Sequence, residues 1–299
     1  MTNSVSTMVC GVRPRPVAPW IVRAVVLLAG VWLAPALSVA QSTGQPTDIF
    51  GDGSVTLNVT VPNGRGLADV LTQIQQLFLT PVTYEELPYE NPTDLRTVTV
   101  VKDGGPVTVL VNPVTDFSVT LTASDSSAYL AVQSAMAAYR NAGHPGAYSV
   151  SLQGVRVDVR PSQILGANGS TRNVTPVMDQ RVTLPAATRN VADTLQLATD
   201  ALTRASGFKV ILLGLPFSPL ETVELGAISE SARDLITDIG TAARRPLSFQ
   251  CVYEPSTRTY YLNVVAVVAP PAPGVPPASG YVKAQPAIGP LTSPFFTKP

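Results

Sequence analysis

Apolar positions in the first half of the chain switch between a period of two and a period of 3.6, which separates strands from helices. Thr56–Val61 alternates as a strand, and Pro62-Asn-Gly-Arg-Gly66 turns the chain. Leu67, Val70, Leu71, Ile74, Leu77 and Phe78 then recur at helical spacing, with Asp69 in the first turn. A short strand follows at Val82–Glu85. Residues 87–116 read as an insertion with Pro88, Pro92 and Gly104-Gly105 and room for one hairpin. Phe117–Thr122 is a further strand. A second helix, capped by Asp125 or Ser126, carries Tyr139 and ends at Gly143. Tyr148–Leu152 and Val155–Val159 form a hairpin around Gln153-Gly154.

The second half repeats this order. Arg181–Leu184 is a strand, and Val191, Leu195, Ala198 and Leu202 mark a helix stopped by Gly207. Phe208–Leu213 and Thr222–Leu225 are strands. Ser229 caps a helix bearing Ala232, Leu235, Ile236 and Ile239, and Leu247–Tyr253 pairs with Tyr260–Val265 across Pro255–Arg258. The pattern predicts an α+β fold of two tandem β-α-β-β-α-β-β modules, at 55–160 and 180–268. In each, two helices pack on a small sheet. Residues 161–179 read as the linker. Residues 269–299, with nine prolines, read as a disordered, extended tail.

Ahead of this lies a different pattern. Arg13, Arg15 and Arg23 are the only charges in the first forty residues, and Ala24–Ala34 is an apolar run ended by Pro35. Ser38-Val39-Ala40 places small residues where signal peptidase needs them. The expectation is a signal peptide over 1–40, cut between Ala40 and Gln41, and a polar arm over 41–54. No membrane span is expected after the cut. An uncut run would instead tether the modules to the membrane.

Cleavage changes the composition. It leaves 259 of 299 residues, with all 20 acids but 17 of the 20 basic residues, a formal charge of −3. There is no basic block to neutralise nucleic-acid phosphates, so nucleic acid is not an expected partner. Cys251 remains as the one cysteine, and no intramolecular disulfide can form. Alternation with Leu247, Phe249 and Tyr253 puts it on an apolar strand face.

Candidate chemistry is sparse, and no cofactor or metal site is expected. His144, the single histidine, lies in a loop between Gly143 and Pro145. Ser206-Gly-Phe-Lys209 has the Ser-x-x-Lys spacing, but straddles a helix end and a strand start. Gly64-Arg-Gly66 precedes a helix without the rest of a phosphate loop. Asp48 and Asp52 are too few for a calcium loop. Tyr84, Glu85, Glu86 and Tyr89 stand out, together with Glu90 and Asp94. Three readings are open for them: a solvated loop, a contact for a partner protein, or the acid pair of a hydrolase acting on polysaccharide or peptidoglycan. Glu85 and Glu86 point to opposite strand faces, which hinders the last.

The segments VADTLQLATDALTRASGFKVIL and ISESARDLITDIGTAARRPLSFQCVYEPSTRTYYLNV resemble the short N-terminal domain of secretins and TonB-dependent transducers. The first half is similar to it with an insertion. Its TYE followed by a Pro-Tyr pair also resembles a group of exported bacterial proteins. The resemblance implies a periplasmic interaction module that contacts another envelope protein and brings no catalytic residues. Only the tail follows the second module, so neither a secretin nor an outer-membrane receptor is expected. The function expected is a non-catalytic protein–protein contact in the bacterial envelope. A secreted hydrolase and an adhesive surface protein are the alternatives.

Overall fold

A computed structural model describes residues 54–59, 65–102, 105–214 and 220–268. The expected signal peptide with its Ala40–Gln41 cut, the expected polar arm up to residue 53 and the expected proline-rich tail lie outside these residues. The described chain is mixed α and β, with four helices and several sheets. No helix among the described residues is long and apolar enough to cross a membrane.

In the first half, β1 (Val55–Val59) runs antiparallel to β5 (Phe117–Leu121), with Leu57 opposite Val119. Helix α1 (Gly66–Phe78) buries Leu67, Val70, Leu71 and Ile74, the stripe its spacing predicts. Helix α2 (Ala128–Asn141) starts one residue later than expected, because the Ser127 hydroxyl accepts from the Leu130 amide. Asp125 instead closes the preceding turn, accepting from the Thr122 amide and the Ser134 hydroxyl. Between the helices, β2 (Val82–Glu85) is buried along its whole length. It lies parallel to β7 (Arg156–Leu165), which turns back on β6 (Ala147–Gln153). Gly154, at φ 59°, makes that turn. The insertion holds a hairpin of β3 (Arg96–Lys102) and β4 (Gly105–Val111).

The stretch expected to be a linker is built into the fold. β7 runs on to Leu165, β8 (Thr171–Asn173) pairs back on it, and a 3-10 turn follows at Val177–Asp179. Ile164, Val177 and Met178 are buried in the second core.

In the second half, β9 (Arg181–Asn190) pairs antiparallel with β11 (Thr222–Ser231). Both run six residues past their expected ends. Gly226 and Ala186 are why the signal fades there. A Cβ on Gly226 would lie 2.7 Å from the Ala186 Cβ, so small residues replace alternating bulky ones. Helix α3 (Val191–Ser206) is capped by Asn190 and ended by Gly207 at φ 73°. Helix α4 (Ala232–Ala242) is capped by Ser231 rather than Ser229, because Ser229 lies within the extended β11. β10 (Lys209–Gly214) lies parallel to β13 (Thr259–Ala266), which pairs antiparallel with β12 (Leu247–Glu254).

One strand pair joins the halves. β12 runs parallel to β2, with Gln250 opposite Tyr84 and Cys251 opposite Glu85. The result is one sheet in the order β10-β13-β12-β2-β7-β6, with β8 added to β7. Val252 of β12 packs into the first core, and Leu87 and Tyr89, just past β2, pack into the second.

Gly66 gives a test of how the insertion closes on α1. Its amide donates to Thr115 Oγ1 at 2.9 Å, and an added Cβ would sit 1.9 Å from the Thr115 carbonyl oxygen. Gly66→Ala is expected to cost about 1–3 kcal/mol in urea unfolding through overpacking. Gly154→Ala meets nothing within 4 Å. It should cost only the left-handed backbone penalty, about 1–2 kcal/mol.

Candidate functional site: a buried arginine–carboxylate junction

The residues singled out around position 85 converge on the seam between the halves. Tyr84, Glu85 and Glu86 are buried away from solvent, and Tyr89 keeps only 7 % exposure, at the edge of a groove. This corrects the expectation of a solvated loop and leaves Tyr84, Glu85 and Glu86 out of reach of a partner. Acids next to prolines and tyrosines read as a surface loop, but the cation that neutralises Glu85 lies 148 residues away and the one that neutralises Glu86 lies 21 residues upstream.

Glu85 is 0 % exposed. Its Oε2 accepts from Arg233 Nη2 and from the Met178 amide, both at 3.1 Å. Its Oε1 accepts from the Val177 amide. Arg233, equally buried, donates through Nη1 to Thr83 Oγ1 at 3.0 Å and through Nε to Asp179 Oδ1 at 2.8 Å. Its guanidinium sits 5.3 Å from the centre of the Phe249 ring, a cation–π distance. Thr83 passes the chain on, donating to Asp158 Oδ1 at 2.6 Å. Asp158 Oδ2 accepts from Arg156 at 3.0 Å and Arg160 at 2.7 Å. Arg156 also reaches Asp234 of α4 at 2.8 Å, and Arg160 reaches Asp179 at 3.3 Å.

Glu86 leaves the strand on the other side, as alternation requires. Its Oε2 accepts from Arg65 Nε at 3.1 Å and the Tyr253 amide at 2.8 Å. Its Oε1 accepts from Asn112 at 3.2 Å. Arg65 and Asn112 each donate to the Tyr253 carbonyl at 2.9 Å. Glu86 thus ties the start of α1, the end of the insertion and the end of β12 together. Tyr84 turns into the first core, its hydroxyl 3.2 Å from that of Tyr148.

The charges do not balance if every group is ionised. Glu85, Asp158, Asp179 and Asp234 meet Arg156, Arg160 and Arg233. One proton on a carboxyl makes the cluster neutral. Burial pushes the Glu85 carboxyl up to about 7, against the opposing pull of Arg233 and two amides. Asp158 goes the other way. Burial raises it, but hydrogen bonds from Arg156, Thr83 and Arg160, with the Arg233 charge, hold it below the usual range. Between the two fully buried carboxyls, Glu85 is the one that holds a proton more readily.

The remaining candidates fall elsewhere. Cys251 is fully buried, and burial pushes its thiol well above the ordinary value. His144 is half-buried against Tyr139, with Nε2 3.1 Å from the Asp116 carbonyl. The Ser206 hydroxyl accepts from the Phe208 amide, and Lys209 begins β10 exposed to solvent. Among the described residues, no group of three or more His, Cys, Asp or Glu is placed to hold a metal ion. Glu90 pairs with Arg172 at the surface.

Arg156, Asp158, Arg160, Asp179 and Arg233 were not anticipated. One signal was present: Arg156-Val-Asp-Val-Arg160 alternates charge with valine. A strand patterned this way, with both faces covered, buries its charges as well as its valines. The chain matches no protein-family model, no curated protein and no solved structure.

Two predictions follow from the buried charges. Arg233→Met strands Glu85 without its cation and is expected to cost about 3–5 kcal/mol in denaturant unfolding at pH 8. The double change Arg233→Met with Glu85→Gln should recover much of that loss. Equal losses in the single and double variants would show that the pair is not coupled.

The second concerns pH. The folded Glu85 pKa lies above the ordinary 4.5, so the folded chain takes up a proton between these values. Its contribution to stability is complete below 4.5 and is lost as pH rises through about 7. Asp69, pushed up to about 6 by burial, adds the same sign. Asp158 and Asp234, held low, carry the opposite sign and lose their contribution on acidification below the ordinary 3.8. The thermal midpoint is expected to peak near about pH 5 and to fall towards about pH 8, with Glu85→Gln flattening the alkaline limb. A midpoint that climbs steadily across that interval would exclude a buried proton on Glu85.

Proposed function

We propose that this chain is an exported, non-catalytic binding protein of the bacterial cell envelope. On this reading it is built from two copies of a module like the short N-terminal domain of secretins and TonB-dependent transducers. Matching strand pairing in the two halves supports the duplication. β1 pairs with β5 as β9 pairs with β11, both antiparallel. β2 lies parallel to β7 as β10 lies parallel to β13. β7 and β13 each turn back on the strand before them.

The observation that carries a binding role is the β3–β4 hairpin. It pairs with no other strand among the described residues. Val98, Val101, Val107 and Leu110 are nonetheless exposed, Val101 at 74 %. A lone two-stranded ribbon is marginal in water, and its open edges accept a third strand. An apolar ribbon left outside the main sheet therefore suits strand addition by an extended segment of an envelope protein.

The test is a photoreactive side chain in place of Val101 in cells that make the protein. A single discrete protein adduct is expected, lost when Thr99→Pro blocks the β3 edge. The same probe at Leu220, which is also exposed, should give no such adduct. Equal adducts at both positions, or none at Val101, would sink the proposal.

A further inference from the structure

A groove of about 330 Å³ opens where the insertion meets the second half. Tyr89, Phe208 and Tyr253 are its aromatic residues, and Pro88, Pro92 and Pro255 flank them. The aromatic side is packed against the second core, which buries most of Tyr89 and Tyr253. Phe208 stands edge-on to both Tyr253, at 6.2 Å, and Tyr260, at 5.3 Å. Arg258 lies beside the Tyr253 phenol at the rim. An aromatic trough between prolines suits an extended, proline-bearing apolar strand, whose low chain entropy lets it bind with few polar contacts.

The chain itself supplies such a segment. Beyond Val268 come 31 residues with nine prolines. Within them, 286–296 reads Pro-Ala-Ile-Gly-Pro-Leu-Thr-Ser-Pro-Phe-Phe, with no charge and four large apolar side chains. Reach selects this part of the tail. The groove touches the Pro255–Arg258 turn, and β13 leads away from it for eight residues. Val268 therefore lies about 30 Å from the groove, at roughly 3.3 Å per strand residue. The chain needs about ten residues of extended polyproline, at ~3.1 Å each, to come back. Pro270, Pro273 and Pro276 fall too early to lie in the groove, whereas 286–296 arrives with slack. Being tethered, the segment needs only weak intrinsic affinity, since short flexible linkage gives effective concentrations of about millimolar.

We propose that residues 286–296 of the same molecule lie in the Tyr89–Phe208–Tyr253 groove. The tail then acts as a strap from the end of β13 back across the seam between the halves.

The test uses the full chain with benzoyl-phenylalanine in place of Leu291. On illumination of dilute protein, the expected product is an intramolecular adduct on residues 88–95, 208 or 253–258, mapped by mass spectrometry. Ala167, an exposed groove residue outside both cores, allows the groove to be filled without disturbing them. Ala167→Trp should abolish that adduct while leaving the circular dichroism spectrum and thermal midpoint unchanged. Adducts elsewhere on the chain, adducts only between two copies, or no adduct at all would each overturn the proposal.

Discussion

The architecture rests on the neutralisation of two carboxylates at the end of a four-residue strand. β2 is the hinge of the sheet, with β7 of its own half on one side and β12 of the other half on its other side. The β12 pairing is only two residue pairs long. So short a ladder cannot hold two halves together alone. Side chains extend it. Ser248 donates to the Val82 carbonyl at 2.6 Å, Gln250 to the Ala68 carbonyl at 3.0 Å, and Tyr260 to the Glu86 carbonyl at 3.3 Å. Glu85 and Glu86 then bring in Arg233 and Arg65, and with them α4 and the start of α1. Buried ion pairs seldom add net stability over a well-packed apolar seam. What they do here is specific. Any slip of β12 along β2 would leave two buried carboxylates without donors.

This explains what the sequence made legible. Helices α1 and α3 and strand β2 follow from local spacing, and their observed bounds match the apolar stripes closely. The Gly207 stop and the Gly154 turn are equally local, because a glycine at positive φ needs no distant partner. The seam was illegible for the opposite reason. Arg233 lies 148 residues from Glu85, and Arg65 lies 21 from Glu86. Neither pair fits within the span of one helix or strand. Adjacent acids without nearby cations therefore read as solvent-exposed. The Arg-Val-Asp-Val-Arg strand was the one local hint. It was ambiguous, because a half-exposed strand shows the same alternation.

The caps show a subtler limit. Ser229, Ser231, Asp125, Ser126 and Ser127 are all plausible N-caps by type. The choice among them depends on where the preceding strand or turn ends. For α4 that is set by β11 continuing against β9 as far as Ser231 opposite Arg181. For α2 it is set by Asp125 turning back to Thr122. Cap identity is thus a tertiary outcome even when cap chemistry is local.

Joining the halves through β2 and β12 also decides which edges remain. Each half spends one edge of its three-stranded sheet on the seam, leaving β6 and β10 at the ends of the main sheet. Both outer pairings are interrupted by register shifts, between Ala147 and Tyr148 in β6 and between Leu212 and Gly214 in β10. Such irregularities twist an edge and discourage further pairing. The β9–β11 ribbon has two shifts of its own. The β3–β4 hairpin pairs without interruption over seven residues on each strand. Arg96 at the start of β3 and Pro106 near the start of β4 give it some protection. The edges of the sheet that holds the halves together are irregular, whereas β3–β4 keeps a regular edge, longer than that of the five-residue β1–β5 ribbon.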